Sequence, residues 1–182
     1  HLGVRRQRQM CIRDSQHIDD PDGEIALCIL SAINVGKINR LEELEDLCDL
    51  SVRGLEELID YQGYPVKAAE NSTKKRRSLG IGFIGLAHYL AKNGEHYDDS
   101  SAWQLTHDLT EAFQYYLLKS SNQLAQEKGK CEYFDRTKYS QGILPIDTYK
   151  SDVDEIVPNN LKYDWESLRT SITTHGLRHS TL

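Results

Sequence analysis

One short apolar run, residues 23–30 (GEIALCIL), constrains the fold more than any other stretch of the sequence. Turn-forming Asp, Pro and Gly residues precede it, and the sequence Asn-Val-Gly follows shortly after it. Both faces of such a run would carry Ile, Leu or Ala, which is typical of a fully buried strand in a parallel sheet. Cys28 lies within the run. On this strand context alone, we interpret the Cys28 thiol as a small buried hydrophobic group.

Two further segments are predicted to be strands, residues 79–84 (LGIGFI) and residues 177–182 (LRHSTL). Long segments with helical periodicity separate the three strands. Strands that alternate with helices favour parallel pairing and right-handed crossover connections. The sequence therefore predicts the α/β class.

The first helix is predicted to begin after Asn39, with Glu42 as the capping-box partner of that residue. Apolar residues recur at helical spacing along one face of it: Leu41, Leu44, Cys48, Val52, Leu55 and Ile59. Cys48 lies within this apolar stripe, so we predict a buried structural thiol there. Residues 67–77 form a polar segment, and we interpret its basic end, residues 74–77 (KKRR), as a solvated face before the second strand.

Further helices are predicted, most of them from a cap or a stop signal, including a short one capped by Asp135 and closed by Gly142. The others cover residues 86–92, stopped by Asn93-Gly94; residues 102–128, capped by Ser100 or Ser101; residues 147–157; and residues 165–175, capped by Asp164 and ended by Gly176.

Composition narrows the class of protein. The chain is 38% hydrophobic with a formal net charge of −6, which does not favour a nucleic-acid-binding scaffold. No apolar run approaches the roughly 20 residues of a membrane-spanning helix. The four cysteines, at positions 11, 28, 48 and 131, have neither metal-ligand spacing nor a disulfide framework. We therefore expect a cytoplasmic protein in a reducing compartment, with no membrane or nucleic-acid partner.

The first fifteen residues differ from the rest of the chain, because four arginines and two glutamines occur there without periodicity. The sequence VRRQRQMCIRDS resembles translated sequencing-adapter read-through. We therefore expect residues 1–15 to be a non-native, disordered leader, and residues 16–182 to be a partial catalytic domain. The alternative is a basic arm whose arginines contact phosphates.

A G-x-G-x-x-G sequence at residues 80–85 lies between a predicted strand and a predicted helix. A dinucleotide site also needs a second strand that ends in an acidic residue, whereas Asp98 and Asp99 lie at a plausible distance but in a polar loop with no predicted strand before them. We interpret the glycines as packing residues that let the strand and the helix approach closely.

Two pairs of residues suggest other chemistry. His175 and His179 have the spacing of a helical metal pair, but Gly176 is predicted to end the helix between them. Tyr115 and Tyr116 could suggest a radical relay, but they lie in the middle of a predicted helix, where a core or surface role suffices. We predict neither a metal site nor a relay.

Five collinear segments carry a family resemblance: GEIALCILSAINVGKI from residue 23, RRSLGIGFIGLAHYLAKNG from residue 76, EAFQYYLLKSSNQLAQEKG from residue 111, GILPIDTYK from residue 142 and YDWESLRTSITTHGLRHSTL from residue 163. They are similar, in the same order, to the large subunit of class I ribonucleotide reductases, most of all the bacterial class Ia type. The resemblance implies a helix-rich fragment of a ten-stranded α/β barrel built from two parallel half-barrels. The Cys28 strand would open the second half, and the strands that begin at Leu79 and Leu177 would follow it.

The resemblance also implies a reaction. In this family a thiyl radical removes the 3′ hydrogen of a ribonucleoside diphosphate, the 2′ hydroxyl leaves as water, and a dithiol becomes a disulfide. Cys28 matches one cysteine of that dithiol. We expect no cofactor or metal to be bound by this segment itself.

The remaining machinery is expected to lie outside these residues: the radical-bearing cysteine, the partner thiol, the substrate-phosphate loop and the ATP/dNTP effector sites. The implied partners are a small subunit with a dimetal/tyrosyl radical, a second large subunit, and thioredoxin or glutaredoxin as reductant. The segment alone is expected to be inactive. The alternative is a helical scaffold or interaction domain in which Cys28 is only a core residue.

Overall fold

The computed structural model describes residues 20, 22–158 and 160–182, so the predicted leader at residues 1–15 lies outside the described residues. The regular elements, in chain order, are β1 (Ile29–Asn34), α1 (Glu43–Tyr61), α2 (Lys67–Arg76), β2 (Leu79–Ile84), α3 (Leu86–Lys92), α4 (Ser100–Lys128) and α5 (Trp165–His175). Short 3₁₀ turns occur at Val35–Lys37, Phe134–Arg136, Lys138–Gln141, Pro145–Asp147 and Ser151–Glu155.

The strands β1 and β2 are parallel, with Ile29 opposite Leu79 and Asn34 opposite Ile84. The helices α1 and α2 form the connection between them. This arrangement confirms the predicted α/β class and the predicted parallel pairing of the first two strands.

The main core forms where α1 and α4 pack together against the sheet. The predicted apolar face of α1 is confirmed from Leu44 to Ile59, whereas Leu41 precedes the helix and is only partly buried. The α4 residues in the same core are Leu109, Ala112, Phe113, Tyr116, Leu117 and Leu124. A second cluster joins α5 to the segment after α4 through Leu118, Cys131, Phe134, Leu144, Trp165, Leu168, Ile172 and Leu177.

The first predicted strand was misplaced. Residues 23–28 are not part of a strand, because regular pairing with β2 begins only where Ile29 faces Leu79. The amide of Ile25 instead donates to the carbonyl of Ala68 in α2 (3.0 Å). The prediction of a strand buried on both faces is also wrong, since Leu30 in β1 is 71% exposed.

The predicted third strand, residues 177–182, is not a strand in the structure. Its main chain is divided among four partners, Cys131, Ser121, Arg76 and Leu79, which prevents a regular ladder. The amide of Arg178 donates to Ser121 O in α4, whereas Thr181 O accepts from the amide of Leu79 at the start of β2.

Several helix boundaries need correction. The side chain of Glu43, not Glu42, accepts from the amides of Asn39 and Arg40 (3.2 and 3.1 Å). Asp99 is the N-cap residue of α4, in place of either serine. The helix predicted over 147–157 is replaced by the 3₁₀ turn Ser151–Glu155.

The basic run 74–77 is not simply the predicted solvated face, since Lys74 is exposed but Arg77 is buried. Residues Lys67–Arg76 form α2, and Ala68, Ala69, Ser72 and Thr73 on one side of it are buried. Arg77 follows in the left-handed conformation (φ 50°, ψ 46°) and is itself only 5% exposed.

The glycine-rich turn between β2 and α3 is shaped by close packing. Gly85 has φ +82°, and a Cβ there would lie 2.5 Å from Asn34 Oδ1 at the end of β1. Only glycine fits both the conformation and the space. In the described part of the chain, no helix combines the length and apolar character needed to cross a membrane.

Candidate functional site

Cys28 immediately precedes β1, and its side chain is exposed, not buried as the strand prediction required. The ladder with β2 begins only at the next residue. The amide of Ile29 donates to the carbonyl of Ser78 (3.3 Å), which fixes the backbone next to the thiol.

The segment that leads to Cys28 is held by Glu24. Its carboxylate accepts from Arg76 Nε (3.1 Å) and Nη2 (2.5 Å), and from the hydroxyl of Tyr133 (2.6 Å). Burial raises the pKa of this carboxyl, but the hydrogen bonds from Tyr133 and Arg76 outweigh it, so the pKa lies below its usual value. Glu24 is therefore ionised, and it ties the extended segment to the end of α2.

Arg77, the residue before Ser78, is held against α1. Its Nε donates to Glu56 Oε2 (2.8 Å), and its Nη1 and Nη2 donate to the carboxylate of Asp60 (3.1 and 2.7 Å). Glu56 and Asp60 are four residues apart in α1, so both face the same guanidinium.

Glu56 is the centre of a buried ionic cluster. Besides Arg77, its carboxylate accepts from Arg178 Nε (2.7 Å) and pairs with His179 Nε2 (3.0 Å). Burial raises the pKa of Glu56, yet the hydrogen bonds from His179, Arg77 and Arg178 hold it far below its usual range. The cluster holds two segments against α1: Arg77, which precedes β2, and residues 178–179, which lie beside β2.

His179 uses both ring nitrogens within this cluster, because its Nδ1 lies 2.9 Å from Ser121 Oγ. Burial lowers its pKa below the ordinary value, so the neutral imidazole is favoured. His175, which precedes it at the spacing of a helical metal pair, is exposed at the end of α5. Over the described ranges, no group of three or more His, Cys, Asp or Glu side chains could hold a metal ion.

The other two described thiols are buried. Burial raises the pKa of Cys48 to about 12 and that of Cys131 to about 11. Because the thiolate is the reactive form, neither can exchange readily near neutral pH. Cys28 is therefore the one accessible thiol among the three that the structure describes.

Tyr115 and Tyr116 belong to an aromatic cluster that packs α4 against α5. Tyr115 stacks on Tyr163 with ring centroids 4.7 Å apart and meets Trp165 edge-on at 5.3 Å. The indole of Trp165 donates to Glu111 (3.0 Å). These contacts account for the tyrosines as packing residues.

Sequence reasoning missed Glu24, Glu56, Arg76 and Arg77. Their pairings join residues that are distant in the chain, which no local pattern reports. One signal was present: two carboxylates at helical spacing in α1 and a pair of arginines before the second strand are complementary in charge.

Comparison with known proteins gives a consistent result. The family model for the ribonucleotide reductase barrel domain matches residues 9–182.

The ribonucleoside-diphosphate reductase subunit alpha of Haemophilus influenzae is 58% identical over 183 residues, which cover 97% of this chain and 24% of that protein. Subunit alpha of the Escherichia coli K12 ribonucleoside-diphosphate reductase 1 is 60% identical over 124 residues, 68% of this chain and 16% of that protein. The phage T4 subunit alpha is 41% identical over 182 residues, 97% of this chain and 24% of that protein. The chain thus spans about a quarter of the length of the Haemophilus and T4 relatives.

Proposed function

The chain belongs to the ribonucleotide reductase barrel-domain family, and we propose that it is part of an enzyme that reduces ribonucleoside diphosphates to deoxyribonucleoside diphosphates. The observation that carries this proposal is the state of Cys28. Its thiol is exposed, and it lies between Glu24, which is anchored to Arg76, and Ile29, which is anchored to Ser78. Cys48 and Cys131 are instead buried with raised pKa values. An exposed thiol such as that of Cys28 is suited to disulfide exchange.

In the proposed reaction, Cys28 and a partner cysteine outside this chain supply the reducing equivalents. The C2′–O bond of the ribose breaks, the oxygen leaves as water, and a C2′–H bond forms. The two thiols lose two protons and two electrons, and a sulfur–sulfur bond forms between them. A thiyl radical on a third cysteine, also outside this chain, takes the 3′ hydrogen at the start and returns it at the end.

We assign the remaining functions to the complete protein and its partners. The relatives are named subunit alpha, which supports an assembly with a second kind of subunit that generates the radical. A dimetal/tyrosyl-radical centre would belong to that subunit. ATP or dNTP effectors, a second alpha subunit, thioredoxin or glutaredoxin as reductant, and a cytoplasmic location complete the proposal.

The proposal is tested by mapping disulfides after turnover. A complete alpha subunit containing this segment is reduced, freed of reductant, supplied with its radical-generating subunit and a ribonucleoside diphosphate, and digested. We expect the Cys28 peptide to be recovered in a disulfide with a peptide from outside this segment, in proportion to the product formed. Omission of substrate should leave Cys28 reduced. Product formation with a free Cys28 would contradict the proposal.

A further inference from the structure

Two consecutive arginines bind carboxylates on two different elements around Cys28. Arg76 pairs with Glu24, which lies in the extended segment that leads to the thiol. Arg77 pairs with Glu56 and Asp60 in α1. Ile29, the residue after Cys28, donates a main-chain hydrogen bond to Ser78, the residue after Arg77. The backbone therefore links the two pairings.

The backbone of Arg77 makes this division possible. Arg77 is the one non-glycine residue with positive φ in the part of the chain that the structure describes. That conformation is unfavourable for a residue with a Cβ and persists only where surrounding contacts hold it. Here the guanidinium of Arg77 pairs with the carboxylates of Glu56 and Asp60, and the carbonyl of the next residue, Ser78, accepts from the amide of Ile29.

We propose that Arg76 and Arg77 are positioning residues for Cys28, which together fix the thiol relative to α1 and to the rest of the barrel. Arg76 acts through Glu24, and Arg77 acts through Ser78. A disulfide forms without strain only when the two Cα atoms lie within about 4.4–6.8 Å of each other, so a segment free to shift would disfavour it. This inference rests on the proposed function, because it assumes that Cys28 belongs to the reducing dithiol.

The test measures the dithiol–disulfide equilibrium of Cys28 in a complete alpha subunit that contains this segment. The protein is equilibrated with reduced and oxidised glutathione, in which two glutathione thiols supply two electrons and two protons per disulfide reduced. Mass spectrometry then gives the oxidised fraction of the Cys28 peptide. We expect Arg76→Met and Glu24→Gln each to make the disulfide at least tenfold easier to reduce, a shift of about 30 mV.

Three further variants test whether the pairing of Arg76 with Glu24 is responsible. Arg76→Lys should restore part of the loss, because it keeps the charge opposite Glu24. The double variant of Arg76→Met with Glu24→Gln should lose no more than either single variant, since both remove the same pairing. Lys74→Met, at an exposed residue of the same helix that pairs with Glu70, should leave the equilibrium unchanged.

Arg77→Gly removes the guanidinium but accepts the left-handed backbone. We expect it to lower thioredoxin-dependent kcat at least tenfold with an unchanged KM for substrate. If this variant does not fold, the test rests on Glu24→Gln and Arg76→Met. A dithiol–disulfide equilibrium of Cys28 equal to that of the wild type in both variants would overturn the positioning role, even if Cys28→Ser is inactive. Normal turnover by Cys28→Ser would instead overturn the proposed function itself.

Discussion

Glu56 Oε2 and His179 Nε2 lie 3.0 Å apart, and both side chains are almost completely buried. Arg77 and Arg178 already neutralise the carboxylate, so the imidazole can remain neutral and donate its Nε2 proton. Its Nδ1 then accepts from the hydroxyl of Ser121. This arrangement joins α1, α4 and the segment beside β2 in one hydrogen-bonded cluster.

We predict that the free energy of unfolding falls as the pH decreases below about 6.5, the ordinary pKa of histidine. The pKa of His179 is lowered in the folded state, so unfolding takes up a proton below that pH. The lowered pKa of Glu56 has the same sign and adds a further loss below about 4.5. Urea unfolding at several pH values measures this.

Two variants provide the comparison for the pH profile. His179→Gln should remove the loss between about pH 7 and pH 5, because its side chain does not titrate. His96→Gln, at an exposed histidine, should keep the wild-type profile. A profile unchanged by His179→Gln would contradict the neutral, buried imidazole.

Glu56→Gln should destabilise the fold by about 3–5 kcal/mol, because it removes the buried carboxylate shared by Arg77 and Arg178 and leaves Arg77 only its pairing with Asp60. Denaturant unfolding gives the value. The neighbouring Glu57→Gln changes an exposed side chain that pairs with Lys128, and it should have no measurable effect. Equal stability of the two variants would show that the cluster contributes nothing to the fold.

The thiols should differ in their rates of alkylation. Iodoacetamide at pH 8 should modify Cys28 rapidly, whereas Cys48 and Cys131 should react only after denaturation, since burial both shields them and raises their pKa values. Peptide mass spectrometry with and without urea distinguishes the three sites. Modification of Cys48 at the rate of Cys28 would contradict its place in the core.

Gly85→Ala and Gly94→Ala separate backbone strain from steric overlap. Both glycines have positive φ, but a Cβ at Gly94 meets nothing within 4 Å, whereas one at Gly85 lies 2.5 Å from Asn34 Oδ1. We expect a loss of about 1–2 kcal/mol from strain at Gly94, and a larger loss at Gly85. Thermal or urea unfolding measures both. Equal losses would show that Asn34 moves aside freely.

Elements with local signals at both ends were predicted residue for residue. The strand Leu79–Ile84 and the helices Leu86–Lys92 and Trp165–His175 have the predicted bounds. In the last of these, Asp164 accepts from the amide of Ser167 as expected of a cap. The buried side of α1 was also predicted, because it follows from spacing alone.

Features that depend on distant partners were not predictable. The start of β1 is set by its register with β2, and Cys28 lies just before that start with an exposed side chain. The predicted last strand failed because Ser121 takes one of its main-chain donors. Arg77 belongs to a run of four basic residues, which favours a solvated face, and only the fold brings it to Glu56.

The central claim is that Cys28 belongs to the reducing dithiol, and turnover by Cys28→Ser in a complete alpha subunit tests it most directly. A serine hydroxyl is nearly isosteric but cannot form a disulfide, so the fold should persist. Cys48→Ser is the matched control, expected to cost about 1–3 kcal/mol of stability if its hydroxyl finds no partner, while keeping the chemistry.

The measurement is the product formed with thioredoxin as reductant. For Cys28→Ser we predict no multiple-turnover formation of deoxynucleotide, and instead release of free base from the nucleotide with inactivation of the enzyme, because attack at the 3′ position continues without electrons to complete the reduction. Normal deoxynucleotide turnover by Cys28→Ser would contradict the account and leave Cys28 without a catalytic role.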